Sequence, residues 1–127
     1  MDHYMTEITT KQLLLEAYGE GQRTFEDIEL TDSADLSSVD LSEATFKHCC
    51  FNLAFVQANL SGCRFLECNL KTADFRNTNL QQATITGCTV ESTRFEGAEV
   101  EGFVFSENSV YGQNAGQEEF NTFHHFT

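Results

Sequence analysis

Cysteine is the residue type best able to do chemistry in this chain of 127 residues, which carries five of them. Cys49, Cys63, Cys68 and Cys88 each lie two residues before a large apolar residue. Because Cys fits an Ala-sized apolar slot, we interpret these four as core residues. Cys50 directly follows Cys49, and neighbouring residues on a strand point to opposite faces. Cys50 is therefore the candidate exposed thiol, although no nearby feature in the sequence makes it reactive.

Metal binding would need several ligands grouped around one point. His48, Cys49 and Cys50 are adjacent in the sequence and all of ligand type. On a strand, Cys49 would point away from the other two, so the three could not surround one ion. We expect no metal site and no cofactor.

Carboxylates are dense near the N-terminus, at Glu26, Asp27, Glu29, Asp32, Asp35, Asp40 and Glu43. A catalytic acid and base need a pocket that separates their two pKa values, whereas dense acid is usually a solvated face. Serines are common, but no Ser-His-Asp arrangement stands out. We therefore expect the protein not to be an enzyme.

The net charge of −13 is unevenly distributed. Residues 1–43 carry eleven acids and two bases, residues 44–90 carry two acids and four bases, and residues 91–127 carry seven acids and one base. Two acidic ends thus flank a belt with a net charge of +2. Since a phosphate-binding protein needs a basic face, direct nucleic-acid binding is not expected.

A period of five residues runs through most of the chain. It is clearest over residues 58–92, where a small residue is followed two places later by Leu, Phe, Ile or Val and the other positions are mostly polar. Five matches neither the 3.6-residue period of a helix nor the two-residue period of a flat strand. A chain that turns a corner once per unit would instead place every large residue inward, beside the small one.

The period breaks twice. Leu30 and Leu36 are six residues apart, which indicates an insertion at position 33. Phe51 and Phe55 are four apart, which indicates a deletion near position 52. Val56 is the alternative centre of that short unit.

The units match a small-(Asp/Asn)-Leu-x-x pattern best at Ala34-Asp35-Leu36, Ala58-Asn59-Leu60 and Ala73-Asp74-Phe75. Over about residues 23–112 the chain therefore resembles the pentapeptide-repeat family. That resemblance implies an all-β fold, a right-handed, four-sided (quadrilateral) β-helix with four units per coil. Residues 13–25 also look like the helical cap that precedes the repeats in many bacterial, especially cyanobacterial, members. The resemblance implies a fold and no particular activity.

Four units per coil would place side chains about 20 residues apart in columns. One column is expected to hold Phe55, Phe75 and Phe95, and another is expected to hold Phe25, Phe46, Phe65, Ile85 and Phe105. Cys49, Cys68 and Cys88 would share a third column. Their Cα spacing of about 4.8 Å would lie in the disulfide range, although parallel side chains need not supply the required dihedral angle.

Both ends of the solenoid need covers, because an open end exposes core side chains and unpaired backbone groups. We predict a helix over residues 6–19, capped by Thr9 or Thr10 and ended by glycine, as the N-terminal cap. The tail carries Phe120, Phe123 and Phe126 next to His124 and His125, which predicts a short helix or turn over the other end. The expected division is 1–22 for the N-terminal cap, 23–112 for the β-helix and 113–127 for the tail.

The compartment follows from two features. No apolar run approaches the roughly 18 residues that a membrane span needs. An odd number of cysteines without a secretion signal favours a reducing, cytoplasmic location. We therefore expect a cytoplasmic protein, either a monomer or a dimer formed through the tail.

The favoured function is that of a rigid, non-enzymatic scaffold whose flat faces bind a protein partner. The candidate partner surface is formed by the outward belt residues Lys47, Arg64, Leu66, Lys71 and Arg76, with Val56 and Val104 as further apolar outward positions. One alternative is an acidic DNA mimic that inhibits a type II topoisomerase. Another is a redox-responsive binding protein that acts through Cys50 or the cysteine column.

Overall fold

In a computed structural model that describes residues 7–122 and the backbone of residues 125–126, the chain forms a right-handed, four-sided β-helix of about four turns. Helix α1 (Lys11–Gly19) precedes the coils, and helix α2 (Gln117–Thr122) follows them. The strands are β1 (Thr24–Glu26), β2 (Thr45–Lys47), β3 (Arg64–Leu66), β4 (Thr84–Thr86), β5 (Thr93–Arg94), β6 (Val104–Ser106), β7 (Asn108–Val110), β8 (Gln113–Ala115) and β9 (His125–Phe126).

One side of the β-helix is a five-stranded parallel sheet in the order β1-β2-β3-β4-β6. Its register aligns Phe25, Phe46, Phe65, Ile85 and Phe105 in one buried column. The flanking residues of each strand point outward because side chains alternate along a strand. This column was predicted from the sequence, and the register confirms it.

The second predicted column is also confirmed. The rings of Phe55 and Phe75 stack with centroids 5.0 Å apart and planes at 1°, and Phe75 stacks on Phe95 at 5.2 Å and 8°. Phe65 of the first column meets Phe75 edge-on at 5.8 Å. Favourable aromatic pairs add about 0.5–1.5 kcal/mol each beyond the burial of their area. The two columns therefore interlock into one core.

In the regular units, the corners depend on a left-handed backbone conformation two residues after the inward centre. Gln57, Asn77 and Gly97 occupy this position on successive coils, with φ of 62°, 56° and 76°. Side chains are tolerated there only at some cost in free energy, which glycine avoids. At Gly97 a Cβ would also lie 2.2 Å from the Oδ1 of Asn77, so a larger residue there would displace that side chain.

Both breaks of the period are present. Glu29 pairs with Cys50, 21 residues on, whereas Cys50 pairs with Asn69, 19 residues on. The first coil is therefore one residue longer than the regular twenty, and the second is one shorter. Phe55 is fully buried whereas Val56 is not, which identifies Phe55 as the centre after the deletion.

The deletion removes the left-handed corner residue itself. In a regular unit this residue donates its backbone N–H to the next coil, as Thr72 does to the carbonyl oxygen of Glu91 at 2.8 Å. No residue between His48 and Gln57 has positive φ. Instead, the side-chain Nδ2 of Asn52 donates to the carbonyl oxygen of Lys71 at 2.7 Å. A side-chain amide thus replaces the missing backbone donor.

Helix α1 begins at Lys11, so the predicted start at residue 6 was wrong for residues 7–10; residue 6 itself lies outside the described part. Thr10 is the N-cap, and its Oγ1 accepts a hydrogen bond from the N–H of Leu13 at 3.2 Å. The segment before it is held to the first coil, because the Thr9 carbonyl accepts the N–H of Thr31 at 2.8 Å. Leu14 is fully buried in the core, so the helix covers the N-terminal end.

The C-terminal end is covered by α2. Phe120 is buried, and its ring centroid lies 5.1 Å from that of Phe95, 4.9 Å from Phe103 and 5.2 Å from Phe105. The backbone N–H of Phe105 donates to Oε1 of Gln117 at 3.2 Å. Both the apolar core and a strand edge are thereby closed at this end.

Beyond α2, the backbone of β9 pairs antiparallel with β5, with Phe126 opposite Thr93. This pairing extends one side of the β-helix past its last coil. The predicted tail residues Phe123 and His124, together with the side chains of His125 and Phe126, lie outside the described residues. No described helix is long and apolar enough to span a membrane.

Replacing Asn52 by Ala is expected to lower the free energy of unfolding by about 0.5–1.5 kcal/mol, because the Lys71 carbonyl loses the Asn52 amide and keeps only the Thr72 hydroxyl as a donor. Urea denaturation followed by circular dichroism measures the change. Asn114→Ala is the control, because Asn114 is exposed and should shift stability by less than about 0.5 kcal/mol. Equal stability of the two variants would show that the Asn52 bond does not stabilise the short corner.

Candidate partner surface and thiols

The five residues predicted as a partner surface lie on three different sides of the β-helix. Lys47, Arg64 and Leu66 point outward from the five-stranded sheet, with Lys47 directly beside Leu66 in the register. Lys71 follows the inward Leu70 on the second side, and Arg76 follows Phe75 on the third. Although the five residues are close together in the sequence, they do not form one continuous surface patch.

Lys71 and Arg76 are engaged by acids of their own chain. Arg76 donates from Nε and Nη2 to the carboxylate of Asp74, with the shortest distance 2.7 Å. These hydrogen bonds, followed by a backbone N–H, hold the pKa of Asp74 below its usual value. Lys71 lies 3.9 Å from Glu91. Among the described residues, neither Lys47 nor Arg64 forms an ion pair.

We call the outward surface of the five-stranded sheet the sheet face. Its side chains, two per strand, are Thr24, Glu26, Thr45, Lys47, Arg64, Leu66, Thr84, Thr86, Val104 and Ser106. Val104 is 47% exposed, which is high for a large apolar residue. With two cations and one anion, the sheet face contrasts with a chain of net charge −13. Val56, the other apolar outward position, lies beside Phe55 on the third side.

The Asp and Asn residues that precede the inward centres have a structural role. The carboxylates of Asp35 and Asp40 accept the backbone N–H groups of Ser37 and Ser42 at 2.9 and 3.0 Å. Hydrogen bonds from these serines lower the pKa of both carboxyls. Such turns stabilise a bend two residues ahead of the Asp or Asn. These acids therefore stay ionised and hold corners in place.

Four of the five thiols are buried, as the spacing predicted, and they also form hydrogen bonds that the sequence interpretation missed. The Sγ of Cys63, Cys68 and Cys88 lies 3.0, 3.3 and 3.3 Å from a carbonyl oxygen of the preceding coil. Thr78 and Thr93 donate equivalent bonds at 2.7 Å. The recurrence of Cys and Thr, rather than Ala alone, in the small inward slot was the signal for this role.

The four buried thiols are out of reach of solvent, although their pKa values move in different directions. Hydrogen bonds with Cys49 and then Cys88 lower the pKa of Cys68. Burial raises the pKa of Cys63 to about 12. The pKa values of Cys49 and Cys88 are raised by their hydrogen bonds with Cys68 and then by burial. All five cysteines are free thiols in the structure.

Cys50 is partly exposed, and its Sγ donates to Oδ1 of Asn52 at 2.9 Å. Partial burial, followed by the negative charge of Glu29, raises the pKa of this thiol too. It lines a shallow cavity of about 390 Å³ with Ser33 and Asn52, where the insertion in one coil adjoins the deletion in the next. Cys50 is thus accessible without being activated. Within the described residues, no three His, Cys, Asp or Glu side chains are grouped closely enough to hold a metal ion.

Comparison with known families matches residues 24–105 to the pentapeptide repeat region. The chain belongs to the pentapeptide-repeat family. The matched residues are those that form the coils from β1 to β6. No curated protein matched the chain.

Several solved structures are similar to this pentapeptide-repeat protein. A trypsin-treated form of QnrB1, described as a plasmid-mediated fluoroquinolone resistance protein, is 27% identical over 68% of this chain and 45% of its own, with a TM-score of 0.49. The chain thus spans less than half the length of QnrB1. The pentapeptide-repeat protein alr5209 from Nostoc Pcc 7120 is 28% identical over 80% of both chains, with a TM-score of 0.43. Rfr23 from the cyanobacterium Cyanothece 51142 is 29% identical over 65% of this chain and 60% of its own, with a TM-score of 0.40.

Brief treatment of the native protein with iodoacetamide is expected to alkylate Cys50 alone, because the other four thiols are at most 2% exposed. Mass spectrometry should then show one adduct on the native protein and five after unfolding in urea. Cys50→Ser is the control and should give no adduct before unfolding. Native adducts on Cys68 or Cys88 would contradict the buried column.

Proposed function

We propose that this protein is a non-enzymatic scaffold that binds a protein partner through the sheet face. The observation that supports this surface best is the pairing state of the belt cations. Lys47 and Arg64 lie on the sheet face without an ion pair among the described residues, whereas Lys71 and Arg76 contact acids of their own sides. A cation that is not neutralised within its own chain can interact with an acidic partner.

The sheet face also offers apolar area. Leu66 lies directly beside Lys47 in the register and two residues from Arg64 on β3, and Val104 is exposed at the edge of the same sheet. Interfaces combine an apolar centre with a polar rim, and charge complementarity mainly affects association rate and specificity. The interlocked phenylalanine columns behind the sheet keep this surface rigid, so binding would require little rearrangement.

The environment and assembly state belong to the same proposal. Five free thiols fit a reducing compartment, which supports a cytoplasmic location. Phe120 packs within its own chain, which favours a monomer over a dimer formed through the tail.

Reversing both sheet-face cations, Lys47→Glu with Arg64→Glu, is expected to weaken partner capture at least about tenfold, equivalent to about 1.4 kcal/mol. The matched control is Lys71→Glu with Arg76→Glu, which makes the same change in net charge on two other sides. Quantitative pull-downs with each purified protein as bait measure the partner retained, and circular dichroism verifies that both variants are folded.

If the partner is lost by the Lys71→Glu, Arg76→Glu variant but retained by the Lys47→Glu, Arg64→Glu variant, the partner does not bind the sheet face. Equal retention by wild type and both variants would show that the belt cations do not contribute to binding. Raising the salt concentration should reduce capture by the wild type, since exposed charges are screened.

The second candidate is an acidic DNA mimic acting on a type II topoisomerase, and the net charge of −13 favours it. It predicts that the purified protein inhibits supercoiling by gyrase and that added salt relieves the inhibition. An unaffected supercoiling rate at a large excess of the protein would eliminate this candidate and leave the scaffold proposal intact.

A further inference from the structure

A groove of about 700 Å³ lies between helix α1 and the first coil. Apolar side chains from both elements line it, namely Ile8, Leu13, Ala17 and Ile28. Leu13 and Ala17 are one turn apart on α1, so they face the groove together. The groove therefore has the apolar lining that a bound chain segment would cover.

The rim of the groove is acidic. Five carboxylates line it, from Glu7, Glu16, Glu20, Glu26 and Asp27. None of the lining residues is a Lys or Arg. The nearest arginine in sequence, Arg23, is directed elsewhere, with its guanidinium 3.7 Å from the ring centroid of Tyr18. The five charges are therefore not neutralised by cations of the groove itself.

One wall of the groove is β1, the edge strand of the five-stranded sheet, which has no further strand beside it among residues 7–122. The Arg23 carbonyl accepts a hydrogen bond from the N–H of Thr45, and the N–H of Asp27 donates to the Lys47 carbonyl. Residues 23, 25 and 27 therefore direct their backbone N–H and C=O groups toward β2. Because these directions alternate along a strand, Thr24 and Glu26 direct theirs away from β2. In the described part of the chain, these outward backbone groups of Thr24 and Glu26 make one hydrogen bond, in which the side-chain amide of Gln22 donates to the Thr24 carbonyl.

The opposite edge of the same sheet is closed. There the outward N–H of Phe105 donates to the side chain of Gln117, and α2 covers the strand. An open edge inside an apolar groove is a template for an added strand. The two ends of the sheet are thus built differently, and the open edge is the one beside the acidic rim.

We propose that this groove binds an extended segment of a partner protein that is rich in Lys or Arg and pairs with β1 as a sixth strand. Backbone bonds to Thr24 and Glu26 would hold the segment, its apolar side chains would cover Ala17 and Ile28, and its cations would meet the rim. Residues 1–6 of this chain contain no Lys or Arg, so they match the rim less well. The groove adjoins the sheet face at Thr24 and Glu26, but its other rim acids, Glu7, Glu16, Glu20 and Asp27, lie off the sheet face. The groove would therefore take a basic segment, whereas the cations of the sheet face would take an acidic partner.

The test uses a fluorescein-labelled peptide of about eight residues that alternates Lys and Val, with fluorescence anisotropy as the readout. Binding to the full chain is expected to be at least about tenfold tighter than binding of a Glu–Val peptide. N-methylation of alternate peptide nitrogens removes the edge-pairing donors and should reduce affinity by a similar factor. One peptide is methylated at its odd-numbered nitrogens and a second at its even-numbered nitrogens. If both keep the full affinity, the peptide does not bind as an added strand and the proposal is wrong.

Protein variants distinguish an effect of the rim carboxylates from an effect of the net negative charge of the whole protein. Glu16→Gln, Glu20→Gln and Glu26→Gln together should weaken the Lys–Val peptide about tenfold or more. The matched control is Glu99→Gln, Glu101→Gln and Glu107→Gln, three exposed acids at the other end of the chain. Equal weakening by both triples would mean that the peptide senses only net charge, and the groove proposal would fail.

The edge itself is tested by Thr24→Pro, which removes an outward N–H without removing a bond to β2. Thr24→Val keeps that N–H and is the control. Methyl NMR of the free wild type supplies a check that does not depend on the variants. Contacts from residues 1–6 to the methyl groups of Ile8 and Ala17 would show that the chain fills its own groove, which would overturn the proposal.

Discussion

The structure depends on hydrogen bonding between coils that can close only if each coil is about 20 residues long. In the regular coils, a corner residue donates its backbone N–H to the coil after it, and inward centres stack on the equivalent centres about 4.8 Å away. The two irregular coils show how strict this constraint is. One carries an extra residue and the next lacks one, and the ladder resumes in register, with Asn69 paired to Thr89 after the usual interval. The amide of Asn52 supplies the bond that the missing corner residue cannot make.

This constraint also explains the composition of the narrow interior. The small inward position must fit beside a large residue, and a side chain with a donor there also bonds a carbonyl oxygen of the preceding coil. Ala meets the size requirement alone, whereas Cys63 and Thr93 also make this bond. The thiols are thus part of the backbone hydrogen-bonding scheme, which gives them a structural reason that is independent of redox chemistry.

Function in such a rod has to come from its surface, because the interior is filled. The acids in the repeat positions hold corners, and two of the four belt cations pair with acids. What remains for recognition is the sheet face, with Lys47 and Arg64, and the acidic groove beside α1. These surfaces adjoin at β1 but differ in charge, so they would select chemically different partners.

The sequence left the centre of the short unit open between Phe55 and Val56, and the burial of Phe55 decided it. Together with its family resemblance, the sequence determined the β-helix, its phenylalanine columns, the burial of four cysteines, the insertion at position 33 and the presence of a deletion near position 52. These features are local, since a five-residue period directs each side chain inward or outward without reference to the rest of the chain. The start of α1 required the structure, because the contact between Thr9 and Thr31 crosses 22 residues. The separation of the belt cations onto three sides, the replacement of a corner N–H by Asn52 and the open edge of β1 were also decided only by the tertiary structure. Each of them depends on which residues of neighbouring coils lie side by side, and a shift of one residue in coil length changes that alignment.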